Sequence, residues 1–509
     1  MSNPNTGAPE RIVIVGFGPV AARLVEHLEP LVAAGKVAVT VIGQEKEAAY
    51  NRVLVADVAV RRSREAAIGL ADPAALMALG IDVRLGARVA RVDRPSRRVL
   101  LEDGEAIDYH RLVFATGSRP ILPCLEGMDE RDNGSQTLPA GVSFLRDLDD
   151  ARAVATALAS RERIVVLGGG ILGIEAALAA AEEGDRVTLV HHGRSPMERL
   201  LGEGALVLAA ALRNAGIAVV AGTSTGVHLA DGRFAGLDLE DGTRVDGGRL
   251  VLACGVRPRT ELAEGCGLDV ADGVLVDHTL RAVDAGGIWA IGDCAEVRCR
   301  DSSCQACMND TAPQGLIGPG WQQADYLGLA WAAEFAGVPA PAVRLPERRD
   351  AVLVLKARGV DAVTAGETDA DPWTVQAGLA VAVWADPGHG RYVKMVTRDG
   401  VLTGLVCVGM PRTGAELVLL FERGSELPAD RSSLLRLDSA EGVVAAIPPG
   451  PDATLCRCAG VTRGSVADSV VNGCASVSDV SASTRAGTGC GGCHEDIRTV
   501  IEQHFAVAV

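Results

Sequence analysis

The chain has 509 residues, 48% of them hydrophobic and only 3% aromatic, with 60 glycines. That length allows about three or four domains, and that balance fits glycine-turned α/β layers better than a sandwich or a disordered protein. A formal charge of −16 argues against nucleic acid or an anionic membrane as a partner. No run of about 18 apolar residues appears and the first ten residues lack an apolar stretch, so neither a transmembrane helix nor a secretory signal is expected. The expected location is cytoplasmic, where thirteen cysteines point to metal or redox chemistry rather than structural disulfides.

The first element is an apolar strand over residues 12–15 that runs into Gly16-Phe17-Gly18 and a helix through Leu28. Gly16 permits the tight turn, Gly18 lets backbone approach a pyrophosphate at the helix N-terminus, and Ala21 stands where the third glycine of the pattern can be alanine. A second strand over 37–42 leads to Glu45, an acid placed to hold a ribose hydroxyl. Tyr50 and Arg52 follow in a polar turn. Arg52 could neutralise a cofactor phosphate or sit over a flavin, the alternative being a solvated loop arginine, and Tyr50 is the first candidate for stacking on a flavin. A strand over 112–114 ends in Ala115-Thr116-Gly117.

After a polar connection (129–136) and a helix over 148–159, the pattern repeats about 150 residues on. A strand over 163–167 enters Gly168, Gly170 and Gly173, all three glycines present, and a helix carries Glu175 in its first turn, where the helix dipole alone would favour an acid. The next strand, 186–190, ends in His191-His192-Gly193-Arg194 where an acid would be expected. Lacking a carboxylate for a 2′-hydroxyl, this site could take a 2′-phosphate against His191 and Arg194, so the dinucleotide is written NAD(P)H. The chain returns through Gly255-Val-Arg-Pro258 and 273–277 to Ile288-Trp-Ala-Ile-Gly292-Asp293.

The order of Gly16/Gly18, the ATG strand end, Gly168/Gly170/Gly173, GVRP and Gly292-Asp293 resembles FAD-dependent pyridine-nucleotide oxidoreductases over residues 11 to about 330. The resemblance implies that Asp293 holds the flavin ribityl chain, that Glu45 holds the adenosine ribose, and that the second motif, with Gly255, holds NAD(P)H. Tyr50, Arg52 and Glu175 are candidate positioning residues. The C-x4-C pair that disulfide reductases of this family carry on the first helix is absent, so disulfide reduction is not expected. Residues 340–435 are rich in strands and look like the α+β C-terminal domain of these flavoproteins, which supports a homodimer or covers the flavin; 354–366 resembles that region of nitrite-reductase large subunits.

A proline-rich spacer over 446–452 precedes Cys456-Arg-Cys458 and, 31 residues later, Cys490-Gly-Gly-Cys493. Two close thiolate pairs bind an iron–sulfur cluster or a tetrahedral zinc. Residues 455–505 resemble the bacterioferritin-associated-ferredoxin-like [2Fe-2S] domain, with short helices expected over 463–470 and 476–483; Cys474 reads as a buried hydrophobe. A second group, Cys294, Cys299, Cys304 and Cys307, starts directly after Asp293, and its last three members lie in a polar insertion (297–313) that the family pattern does not require. It is a candidate second iron–sulfur or metal centre, with unpaired loop thiols as the alternative.

The expected fold is α/β: two nested Rossmann-like dinucleotide-binding domains, an α+β C-terminal flavoprotein domain and a small helical [2Fe-2S] domain. The expected boundaries are 1–144 and 266–336 for FAD, 145–265 for NAD(P)H, 337–440 for the α+β domain, 441–454 for the linker and 455–509 for the cluster domain. This combination resembles the electron-transfer subunit of assimilatory nitrate reductase and the N-terminal part of nitrite-reductase large subunits. The implied task is to take hydride from NAD(P)H onto FAD and pass single electrons through the cluster to a molybdenum nitrate reductase subunit. Because sirohaem-binding domains would follow the cluster domain in a nitrite reductase and the sequence ends at Val509, a self-contained nitrite reductase is not expected. A reductase for nitrite reductase or for a free ferredoxin or rubredoxin, and a non-enzymatic iron–sulfur redox sensor, are the other readings.

Overall fold

The computed structural model describes residues 8–128, 138–158, 162–283, 285–298, 304, 313, 315–339, 345, 351–357, 359–438, 450–489 and 491–507. Five parallel strands form the first sheet, in the order Ile288–Ala290, Arg111–Phe114, Glu10–Val15, Val37–Gly43 and Asp82–Leu85. Ile12, Val13 and Ile14 are all buried, the run expected of a central strand covered on both faces. The helix Pro19–Ala33 starts at an N-cap Gly18 with proline in its first turn. It runs through Pro30 instead of ending at Leu28, because Leu31 is buried and anchors the last turn.

The second sheet repeats the first: Ala218–Ala221, Val187–His191, Ile164–Leu167, Arg249–Leu252 and Val142–Phe144, all parallel. Its edge strand Val142–Phe144 pairs with Arg249–Leu252, so this stretch packs with the second sheet although the sequence reading put it with the first. The repeat extends to atoms. The N–H of Gly16 donates to Ile42 O and that of Gly168 to Val190 O, each at 2.8 Å. Two short antiparallel strands, Ser118–Pro120 and Val256–Pro258, carry the chain between the two sheets.

The third unit is a five-stranded antiparallel sheet, in the order Val352–Ala357, Val360–Gly366, Val401–Val408, Arg391–Arg398 and Leu379–Asp386, with the helix Pro411–Glu422 beside it. Tyr392, Val406 and Val408 from this sheet share a core with Ala205 and Leu208 of the helix Gly204–Asn214. The α+β unit therefore sits on the second dinucleotide domain.

A hairpin (Thr454–Cys456 with Val461–Thr462) and the helices Arg463–Val471, Val477–Thr484 and His494–Val507 form the last unit. Its core is small: Cys456, Val466, Val480 and Ile497 are fully buried. Ser476 and Asp479 close a capping box at the start of Val477–Thr484. Of the spacer, residues 446–449 lie outside the described residues. Among the described residues no helix is long and apolar enough to cross a membrane.

Candidate functional site: two glycine loops and a cysteine loop on one cavity

Each glycine loop is shaped by what a side chain would strike. A Cβ on Gly16 would stand 2.1 Å from Ala115 O, and one on Gly168 would stand 2.2 Å from Ala253 O; both residues have positive φ. A Cβ on Gly173 would meet Gly168 O at 2.1 Å, so that glycine lets the helix Ile171–Glu182 close on the loop. Gly18 and Gly170, the two N-caps, have nothing within 4 Å of a built Cβ. They face open space, as a backbone that receives a pyrophosphate must. Two variants separate these roles. Gly168→Ala is expected to cost about 2–4 kcal/mol of stability, whereas Gly170→Ala should leave the melting temperature nearly unchanged and weaken dinucleotide binding, read by calorimetry.

The loops open on one cavity of about 2790 Å³, well above the usual range for a single-ligand pocket and able to take two dinucleotides. Glu45, Arg52, Ala115, Thr116, Gly117, Gly292 and Asp293 are on its wall at the first loop. Arg52 ion-pairs with Glu45, and the Tyr50 hydroxyl donates to Glu45 Oε2 at 2.6 Å. Tyr50 itself lies behind this pair and off the cavity wall. Its ring sits under the Arg52 guanidinium, 4.9 Å away, and burial raises its pKa. It braces Glu45 and does not offer a stacking face. Asp293 Oδ2 accepts from Ser118 Oγ at 2.7 Å and from Arg146 at 2.9 Å. Arg146, which the sequence reading missed, also lines the cavity, as does Arg259, whose pKa is lowered by burial. Cations held in such a wall suit phosphate oxygens.

At the second loop Glu175 and Gly255 are on the wall. His191 packs under Gly169, where a Cβ would come within 2.7 Å of the imidazole's Cβ, and burial lowers its pKa, so it is neutral at pH 7. The Arg194 side chain is 89% exposed and bound to Glu198. Neither brings an uncommitted positive charge to a 2′-phosphate. Glu198, on the cavity wall, had no signal in the fingerprint.

Cys456, Cys458 and Cys493 also line this cavity; Cys490 lies outside the described residues. The Sγ atoms of Cys456 and Cys458 are 3.7 Å apart. Hydrogen bonds from Cys458 and Cys493 hold the Cys456 thiol well below its ordinary pKa. A Cβ on Gly489 would stand 2.2 Å from Cys458 Sγ, so this glycine leaves room over the sulfur. Clustered sulfurs under a glycine-lined loop fit an iron–sulfur cluster.

Residues far apart in sequence dock this loop on the first dinucleotide domain. Asn51, 1% exposed, donates from Nδ2 to Thr488 O at 2.6 Å and to Gly489 O, while its Oδ1 accepts from Val53 N at 3.0 Å. Trp321 donates from Nε1 to Pro19 O at 3.1 Å and reaches the space above Gly489. Arg485 lies over the Trp321 ring at 5.2 Å and pairs with Glu26. Trp321 thus stands between the cysteine loop and the start of the helix that follows Gly18.

The second cysteine group is not assembled by the described residues. Cys294 is fully buried in the core of the first domain, its Sγ against Phe114 O and Ile291 O at 3.4 and 3.3 Å. That corrects its place in a second centre: the core gives it no room for a metal. Cys304 Sγ faces His278 Nε2 at 3.4 Å, and Cys299 and Cys307 lie outside the described residues.

Comparison with known proteins bears on this geometry. Residues 10–312 match the family model of pyridine nucleotide-disulphide oxidoreductases, and residues 454–503 match the BFD-like [2Fe-2S] binding domain. The chain is 30% identical to the large subunit of an NAD(P)H nitrite reductase from Klebsiella oxytoca, over 97% of this chain and 49% of that one. It is 25% identical to the assimilatory nitrate reductase electron transfer subunit of Bacillus subtilis, over 95% of this chain and 58% of that one. The chain thus spans about half the length of the curated relatives it matches. Among solved structures, the covalent putidaredoxin reductase–putidaredoxin complex superposes with a TM-score of 0.70 at 20% identity, covering 86% of this chain and 100% of that one. NADH:rubredoxin oxidoreductase from Clostridium acetobutylicum superposes with a TM-score of 0.63 at 20% identity, over 84% and 98%.

Proposed function

The chain belongs to the pyridine nucleotide-disulphide oxidoreductase family and carries a BFD-like [2Fe-2S] domain, so it is an FAD- and NAD(P)H-dependent oxidoreductase, and we propose that it delivers electrons from NAD(P)H to the molybdenum subunit of an assimilatory nitrate reductase. The observation that carries this reading is the single cavity, which runs from both glycine loops to Cys456, Cys458 and Cys493. Bound FAD supplies the chemistry that converts hydride from the nicotinamide into single electrons, and the cluster supplies one-electron transfer. The protein's part is placement. Gly16, Gly18 and the N-terminus of Pro19–Ala33 seat one pyrophosphate; Gly168, Gly170 and the N-terminus of Ile171–Glu182 seat the other. Ser118 and Arg146 fix Asp293 as a hydrogen-bond acceptor on the wall between them. Asn51, Trp321 and Arg485 hold the cysteine loop at the same cavity. Hydride transfer of this kind needs orientation and dryness and no protein acid–base pair.

The likeness to the Bacillus subtilis electron transfer subunit over 95% of this chain supports nitrate reductase as the acceptor. The 30% identity to the Klebsiella oxytoca enzyme favours, as a second reading, delivery to a nitrite-reducing centre. Incubating the chain with NADH or NADPH and a candidate molybdenum subunit, with nitrate and nitrite supplied in separate reactions, tests the choice. Nitrite formation that Cys490→Ser abolishes is the expected result. Loss of nitrite without nitrate consumption would replace it with the second reading.

A further inference from the structure

Ile42 and Val190, whose carbonyls accept from the first glycine of each loop, occupy equivalent places near the ends of the second strands of the two repeats. Three residues beyond these stand Glu45 in the first repeat and Gly193 in the second. Gly193 brings no side chain, yet the place is not empty. A Cβ on Gly193 would stand 3.3 Å from Glu198 Oε2. The chain achieves this by doubling back: Gly193 and Met197 both have positive φ, and the short helix Glu198–Leu201 begins beside the strand end. Arg194 pins the carboxylate there, its backbone N donating to Oε2 at 3.0 Å and its Nε to Oε1 at 2.7 Å. Each repeat therefore carries a carboxylate–arginine pair at the same position, Glu45 with Arg52 and Glu198 with Arg194. Both carboxylates lie on the cavity wall.

We propose that Glu198 is the specificity-determining residue of the second dinucleotide site: it accepts hydrogen bonds from the adenosine ribose hydroxyls and selects NADH over NADPH. The inference rests on the reading of the second glycine loop as the NAD(P)H site. Each carboxylate oxygen has two acceptor positions; Arg194 Nε and Nη2 both lie 2.7 Å from Oε1, so the position open to a ribose hydroxyl is on Oε2, which takes the Arg194 N–H at 3.0 Å. A 2′-phosphate offers no donor at pH 7 and sets its own negative charge against the carboxylate, the repulsive element that discrimination needs. The Arg194 hydrogen bonds also keep Glu198 ionised, below the usual carboxylate range. The acid missing from the end of the strand is thus supplied from eight residues past Val190.

Calorimetric titration of the FAD-loaded full chain with NAD+ and NADP+ tests this directly. Wild-type protein is expected to bind NAD+ about 10- to 100-fold more tightly than NADP+. Glu198→Gln, nearly isosteric, removes the repulsion and frees Arg194, and Arg199 also lines the cavity; the preference should fall by about tenfold, mainly through tighter NADP+ binding. Arg194→Ala keeps the backbone N–H that holds Glu198 Oε2, and the NAD+ preference should survive. The ratio of kcat/KM for NADH and NADPH in dye reduction should move in parallel. Equal or tighter binding of NADP+ by the wild type, or a ratio that Glu198→Gln does not change, would overturn the assignment. If neither dinucleotide binds, the hydride-donor reading of the site fails with it.

Discussion

Cys456→Ser is expected to remove the iron and sulfide, about two of each per chain in the wild type, and to reduce acceptor-coupled turnover to background. NAD(P)H oxidation by an artificial dye should stay within about twofold. The separation follows from the architecture. Cys456 is at once a thiolate of the candidate cluster site and a fully buried member of the small domain's core. Its loss therefore removes both a ligand and packing from a unit with a small aliphatic core, and metal binding there contributes directly to folding. Among the described residues neither glycine loop belongs to this core, so the dinucleotide sites should fold and fill as before. Cys474, partly exposed and outside the sulfur group, is the control: Cys474→Ser should retain both iron and acceptor turnover. Iron and sulfide analysis beside the two assays reads the result.

Asn51→Leu should uncouple the cysteine loop from the first dinucleotide domain while both still fold. The Asn51 amide donates to Thr488 O and Gly489 O inside a buried contact, and leucine would leave both carbonyls without that donor. Each unsatisfied buried group costs about 1–3 kcal/mol, so the docked state should lose roughly 3–4 kcal/mol, a factor of a few hundred in its population. Arg485 and Glu26 remain, and burial with Arg23 nearby lowers Arg485 only to about 10, so it is still a cation at neutral pH. That pair is partly exposed and replaces little of what Asn51 supplies. The expected observation is faster protease cleavage at the connection before Ala453 and a drop of about 100-fold in acceptor reduction, with dye reduction and iron content unchanged. An undiminished acceptor rate would show that docking in this orientation is not needed.

The parts of this molecule that follow the chain were legible in the sequence. Both glycine loops had strand, turn and helix contiguous, so Gly16, Gly18, Gly168, Gly170 and Gly173 could be placed in their turns, and the parallel sheets of two Rossmann-like domains formed around them. The cysteine pairs were equally local. What escaped arrives through space. Glu198 fills the position of an absent acid only because two positive-φ residues turn the chain back on itself. Asn51 sits between two residues singled out for the flavin, yet it meets a loop more than four hundred residues away. Tyr50 was assigned a stacking role by its neighbours in sequence, but burial behind Glu45 and Arg52 gave it another. Cys294 was grouped by spacing with three other cysteines, and the core of the first domain claimed it. Spacing misleads about a ligand set when one member also fills a place in a neighbouring domain's hydrophobic core, as Cys294 does.

Hydride accepted at the glycine loops should leave as single electrons through the C-terminal cysteines of the same chain. Anaerobic titration of the fully loaded protein with NADH, followed by absorbance and by electron paramagnetic resonance, tests it most directly. About three electron equivalents per chain are expected, with the signal of a reduced [2Fe-2S] centre rising as the flavin bleaches and absent from Cys456→Ser. Bleaching complete at two equivalents, with the cluster silent until a chemical reductant is added, would contradict it.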